Sequence, residues 1–334
     1  MKRAQIHAPG DVRLDEVPEP EVGPNDALLE VGACGICGSD VGYVRLGGLA
    51  GPTDEPMPLG HELAGTVVAT GADVRGLAAG TRVALNPTAA GYAIGNGGPE
   101  GGFAPKLLIR DAALGRNLFP IPDDMPFAIG ALAEPLGVGM NAVDRVHVEP
   151  GEKVAILGAG PIGLTALATL LDRGVEDVVS IDLSERRLEV ARELGAPETL
   201  NPGQEDLWEG LGRRHGEITF YDMPLVGTDV FIEASGAAPL LEQILDRAKP
   251  RARVSIVALH RQEISVNFMT VMMKQLTLQG AMEYPERYEE MIELLGRRDL
   301  SPMITHRYPL DEFLSAFAVA QSPSAGAKVM IEIA

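Results

Sequence analysis

Four side chains early in the sequence have the chemistry of metal ligands: Cys37, the adjacent pair His61 and Glu62, and Glu134. Thiolate, imidazole and carboxylate are the groups that hold zinc, and three protein ligands leave one position open, as catalysis on the ion requires. Downstream lies a glycine turn, Gly158-Ala159-Gly160-Pro161-Ile162-Gly163. Such a turn at the start of a helix receives a dinucleotide pyrophosphate. Ligands followed by this turn imply an enzyme that polarises an oxygen on a metal and moves a hydride to or from a nicotinamide.

The turn has the surroundings it needs. Lys153 to Leu157 reads as a short apolar strand before it, and Pro161 to Arg173 has helical spacing after it. Asp182 ends the next apolar strand, 19 residues beyond Gly163. Gly158 permits the tight turn, Gly160 lets backbone approach the pyrophosphate, and Gly163 lets helix and strand pack closely. A carboxylate at Asp182 accepts hydrogen bonds from adenosine ribose hydroxyls and repels a 2′-phosphate, which favours NAD over NADP. Arg186 and Arg187 weaken that preference, since either could pair with a phosphate. They could equally form a solvated helix face.

The elements that must position these residues fall into two patterns. Up to Glu134 the chain reads as short strands broken by Gly and Pro, with candidates at Ala27 to Ala33, Leu63 to Thr70 and Arg82 to Leu85. Beyond Glu134, strands and helices alternate, which predicts a parallel sheet covered on both faces. The strands are Lys153 to Leu157, Val178 to Ile181, Asp229 to Glu233, Arg253 to Leu259 and Leu276 to Ala281. Ser184 should cap a helix running to about Leu194. Towards the end, Glu286 to Arg297 and Asp311 to Ala320 read as helices and Lys328 to Ile333 as a strand. Asn86 to Gly102, rich in Gly, Ala and Asn, reads as a loop.

Composition narrows the partners. A formal charge of −19 repels nucleic acid and anionic membrane. An apolar fraction of 46% allows large cores and excludes bulk disorder. The first residues lack the apolar core of a signal peptide, and no uncharged apolar run approaches the ~20 residues that span a bilayer. A cytoplasmic protein is expected. The two cysteines, Cys34 and Cys37, permit no long-range disulfide framework. Formally they make a C-x-x-C, but no thioredoxin-like unit surrounds them, so Cys34 is expected to be a packed small residue. His7, His147, His215, His260 and His306 lack metal spacing and are expected at the surface or in packing. Met269, Met272 and Met273 should pack in a core or at a subunit contact.

Four segments together resemble the zinc-dependent medium-chain alcohol and polyol dehydrogenases, over almost the whole length. They are Gly35-Ile36-Cys37-Gly38-Ser39-Asp40, Gly60-His61-Glu62-Leu63-Ala64-Gly65 continuing through Gly71 to Val74, Ala133-Glu134-Pro135-Leu136, and the glycine turn. The resemblance implies an α/β chain: a β-rich, GroES-like catalytic domain from residues 1–136 and 285–334, and a Rossmann doubly wound parallel-sheet domain from 137–284. It implies that Cys37, His61 and Glu134 hold one catalytic zinc, with Glu62 an alternate ligand or exchanging with water. By the same analogy Ser39 accepts the substrate proton. Asp40 is a candidate to orient His61, although it and Ser39 could simply cap a turn. Ser235, in Ala234-Ser235-Gly236, would line the cofactor site. Lys328 would lie near the cofactor phosphates, or on a solvated strand edge.

Two departures stand out. Many relatives carry a relay histidine where this chain has Gly42, so the outer proton path must run through water, a cofactor hydroxyl or another side chain. Asn86 to Gly102 has no cysteine, so a structural zinc is not expected. The function implied is oxidation of a secondary alcohol, possibly a diol or polyol, to its ketone with NAD, in a cleft between the domains. The assembly expected by analogy is a homodimer or homotetramer, with Leu276 to Ala281 a candidate edge strand for pairing. Two rivals are a zinc-free enone or quinone reductase on this fold, and a nucleotide-binding protein without catalysis.

Overall fold

The computed structural model describes residues 1–89, 93–322 and 326–333. The chain divides into two compact units, Met1–Glu134 with Arg287–Ala334, and Pro135–Glu286.

The first unit is built on a seven-stranded sheet. Its order runs Ile304–Pro309, Lys328–Glu332, Ala27–Ile36, Glu62–Thr70, Arg82–Leu85 and Leu118–Pro120, with Lys106–Ile109 also pairing with Ala27–Ile36. The long central strand Ala27–Ile36 is buried along most of its length, because neighbours cover both faces. Its register sets Gly35 opposite Glu62 on one side and opposite Met330 on the other. Segments far apart in sequence are thereby brought to one place. A three-stranded antiparallel sheet, Asp11–Glu16, Lys2–Ala8 and Met57–Pro58, completes the unit.

A helix over Gly38–Leu46 follows the central strand directly. Its glycines hide it from a reading of periodicity. It is fixed at its start by a capping box: Cys37 is the N-cap, and the Asp40 carboxylate accepts a 2.9 Å hydrogen bond from the Cys37 N–H. It stops at Gly47, in the left-handed region at φ 83°, where glycine carries no Cβ penalty.

The second unit is a six-stranded sheet, parallel throughout, in the order Glu198–Leu200, Asp177–Ile181, Lys153–Leu157, Val230–Glu233, Arg253–Ile256 and Thr277–Gly280. The central strands are buried on both faces. Strand order reverses between Lys153–Leu157 and Val230–Glu233, and such a switch point is where doubly wound sheets bind nucleotides. Thr277–Gly280 is an edge strand. Helices Pro161–Asp172 and Glu185–Glu193 follow the first two strands of the motif, the second capped by the Ser184 side chain. An antiparallel hairpin, Glu217–Phe220 with Met223–Val226, is an addition that the sequence reading missed. Arg253–Ile256 stops three residues before the expected Leu259, and Asp311–Ala320 is a 3₁₀ turn, Leu310–Glu312, leading into the helix Phe313–Ala320. The described part of 86–102 holds turns and bends without a helix or strand, while 90–92 lie outside the described residues.

Candidate metal centre and dinucleotide site

The sheet register and the Cys37 cap converge on one cluster. Ligand atoms of Cys37, His61 and Glu62 lie within 4.8 Å of one another, and this is the single such group among the described residues. His61 and Glu62 are buried and Cys37 is half-buried. A soft thiolate, an imidazole and a carboxylate at this spacing form a donor set fit for a divalent transition metal. Glu134, at the start of the helix Ala133–Asp144, is buried but outside the cluster.

Each imidazole nitrogen has its own neighbour. Nε2 lies 3.4 Å from Ser39 Oγ, and Nδ1 lies 3.5 Å from Asp40 Oδ1. The second contact is an ion pair when the ring is protonated, and neither atom makes a hydrogen bond of normal geometry among the described residues. Asp40 therefore does both things the sequence offered as alternatives: Oδ2 caps the helix and Oδ1 faces His61. Burial opposes charge on His61, but Asp40 and then Cys37 outweigh it and raise its pKa well above the ordinary histidine value. In metal-free protein that proton must leave before Nε2 can serve as a ligand, so metal uptake releases a proton and weakens as pH falls. Asp40→Asn is expected to lower metal affinity about 10–100-fold and to flatten its pH dependence. Chelator competition at two pH values checks this, and unchanged affinity would remove Asp40 from the role.

Glu62 carries a partner that neither sequence reading of Lys328 anticipated. Lys328 is fully buried, and its Nζ donates to both carboxylate oxygens of Glu62 at 2.6 Å and to Ile36 O at 3.2 Å. Burial works against the ammonium, but Glu62, followed by Cys37, holds its pKa above the ordinary value. Gly35 has a plain reason as well: a Cβ there would collide with Glu62 Oε2. Cys34, by contrast, is buried with its thiol pushed well up by burial, and both cysteines are free. It is a packed residue.

In the second unit the glycine turn has the expected form. Gly158 has φ 104°, and a Cβ there would meet the Ala234–Ser235 backbone at 2.9 Å. A Cβ at Gly163 would strike Gly158 O, so helix and strand meet at the closeness that glycine permits. A Cβ at Gly160 would meet only Arg187 Nη1, at 3.9 Å. That leaves open space beside the N-cap of the 12-residue helix, which begins Pro161, Ile162 and Gly163. Asp182 closes the turn by accepting from Ala159 N and Ser184 N, both at 2.8 Å, and Arg187 Nη1 lies 3.7 Å from Asp182 Oδ2. Ser235 donates to Glu233 Oε1 through its N–H and its hydroxyl.

A chain with this pair of sites is an NAD(P)-dependent oxidoreductase that transfers a hydride between an alcohol and its ketone, assisted by a metal. Residues 23–123 match the alcohol dehydrogenase GroES-like domain, and 161–297 match the zinc-binding dehydrogenase model. Sorbitol dehydrogenase of Mus musculus is 33% identical over 348 residues, covering 98% of this chain and 94% of that protein. The crystal structure of 2R,3R-butanediol dehydrogenase from Bacillus subtilis superposes with a TM-score of 0.86 at 26% identity, covering 100% of this chain and 99% of that one. A Sinorhizobium meliloti chain solved bound to NADP has a TM-score of 0.85 at 29% identity, covering 99% and 98%. The protein belongs to the zinc-binding medium-chain dehydrogenase/reductase family and is related to the sorbitol and butanediol dehydrogenases. Among the described residues no helix is long and apolar enough to cross a membrane.

Proposed function

We propose that the protein is a zinc enzyme that oxidises a secondary alcohol, one bearing a neighbouring hydroxyl, to the ketone with NAD. The observation that carries this is the Cys37, His61 and Glu62 cluster in a chain that also bears the glycine turn. Cys37, His61 and a carboxylate, Glu62 or Glu134, would hold the ion. Zinc there would act as a Lewis acid on the substrate oxygen, favouring release of the carbinol hydride. The similarity to sorbitol and butanediol dehydrogenases supports the vicinal hydroxyl. It also supports a site that works on zinc, against the zinc-free reductase.

The proton leaves by side chains of the Gly38–Leu46 helix. Ser39 Oγ, beside His61 Nε2, accepts the alcohol proton. Tyr43 stands four residues on, the spacing that places two side chains on one helix face. It donates to Asn96 Oδ1 at 3.1 Å. Burial raises the Tyr43 pKa, so the phenol stays protonated and passes protons as a neutral hydroxyl. Tyr43 thus takes the place left open by Gly42.

Asp182 favours NAD by accepting from the ribose hydroxyls, with Arg187 as its counter-ion. A homo-oligomer paired through Thr277–Gly280 and a cytoplasmic location belong to the same reading. The test is cofactor reduction across secondary alcohols, diols and polyols with NAD and then NADP, alongside metal analysis. Turnover of diols or polyols with NAD by zinc-loaded protein is expected. Equal activity after zinc removal, or turnover of no alcohol, would defeat the proposal.

A further inference from the structure

His260 is the one histidine of the second unit that stands at the ligand end of the parallel sheet, and it is held there by a buried carboxylate. Its Nε2 lies 2.7 Å from Oε2 of Glu233, which is 0% exposed. Glu233 is the last residue of the strand that flanks the switch point. Its other oxygen already accepts from Ser235 N at 2.9 Å, Ser235 Oγ at 2.5 Å and Gly236 N at 3.0 Å. Glu233 offers oxygens that accept, so in this pairing Nε2–H donates to Oε2. In the neutral ring the remaining nitrogen, Nδ1, is a lone-pair acceptor. It is buried and has no hydrogen-bond partner among the described residues.

An unmet buried acceptor is costly and calls for a donor. The position says which donor. The Asp182 side of the sheet lies across the Lys153–Leu157 strand from the Val230–Glu233 and Arg253–Ile256 side, and His260 follows the latter strand. A dinucleotide crossing the switch point with its adenosine at Asp182 carries its nicotinamide nucleoside to the His260 side. The pyrophosphate offers only acceptors, whereas the carboxamide N–H₂ and the nicotinamide ribose hydroxyls are donors. The loop after Glu233 also meets the dinucleotide turn, since a Cβ on Gly158 would touch Ala234 and Ser235.

We propose that His260, oriented by Glu233, is a cofactor-positioning residue that accepts a hydrogen bond from the nicotinamide-nucleoside half of the dinucleotide. This rests on the dinucleotide reading above, and its test separates the two. In His260→Phe the ring is kept and the Nδ1 acceptor is gone, while Glu233 keeps its donors from Ser235 and Gly236. NADH is titrated by fluorescence and AMP by calorimetry, on full-length, metal-loaded wild type and variant. The expected result is an NADH Kd about tenfold higher in the variant, with the AMP Kd unchanged, because AMP lacks the nicotinamide half. An unchanged NADH Kd would overturn the proposal. So would an equal loss of AMP affinity, which would assign His260 to loop structure alone. Wild-type protein that binds neither ligand would remove the dinucleotide reading itself, and the proposal with it.

Discussion

Cys37→Ser should lower kcat/KM for alcohol oxidation by about 10³-fold, with most of the metal lost and NADH binding retained. Cys37 is the single thiolate donor of the cluster, and a hydroxyl is a far harder and less acidic ligand. Without the ion the substrate oxygen loses several kcal/mol of charge stabilisation, and about 4 kcal/mol is a factor of roughly 10³ in rate. Retained NADH affinity is the informative half of the result, because the glycine turn is built from the other compact unit. Steady-state kinetics, metal analysis and NADH fluorescence on one preparation check it. Full activity in the serine variant would show that the cluster does no chemistry and would revive the zinc-free reductase.

A second large effect belongs to Lys328. Replacing it by methionine leaves the Glu62 carboxylate buried without its ammonium, and breaking a buried pair by removing one partner costs about 3–5 kcal/mol. Both side chains are about 1% exposed, so solvent screening does little to soften the loss. Denaturant unfolding of the chelated protein should show it as a lower midpoint with the slope preserved. The double variant Lys328→Met with Glu62→Gln should recover much of the loss, because the uncompensated charge is gone. A single variant as stable as wild type, or a double variant no better than the single, would contradict the pairing.

The dinucleotide half was legible because its signals are local. Strand, glycine turn, helix and acid follow one another within thirty residues, and each glycine has its own steric reason. The metal half was legible in residue type and not in arrangement. His61, Glu62 and Cys37 could be named, but that Glu62 stands beside Cys37 depends on a register that pairs Gly35 with Glu62 across strands. Lys328 joins them only because the Lys328–Glu332 strand adds to the other side of Ala27–Ile36. That pairing spans 292 residues, and no window along the chain contains it. The Gly38–Leu46 helix escaped notice because Gly38 and Gly42 lower its helical signal, while the contacts that hold it come from Asp40 and from tertiary structure. The hairpin at Glu217–Val226 turns through Tyr221 and Asp222, both at positive φ. A tyrosine there carries none of the Asn-Gly pattern that announces such turns. His260 has no metal spacing in the sequence, and its partner is a carboxylate at the end of a strand neighbouring the one it follows.

The long reach between Ile36 and Lys328 also orders events at the ribosome. Residues 135–286 emerge as a self-contained body before the cation that neutralises Glu62 has been synthesised. Until then the nascent chain holds a thiol, an imidazole and an uncompensated acid, a more anionic trap than the finished pocket. Pairing of the Lys328–Glu332 strand is the step that brings the cation to Glu62 and sets the charge of the pocket.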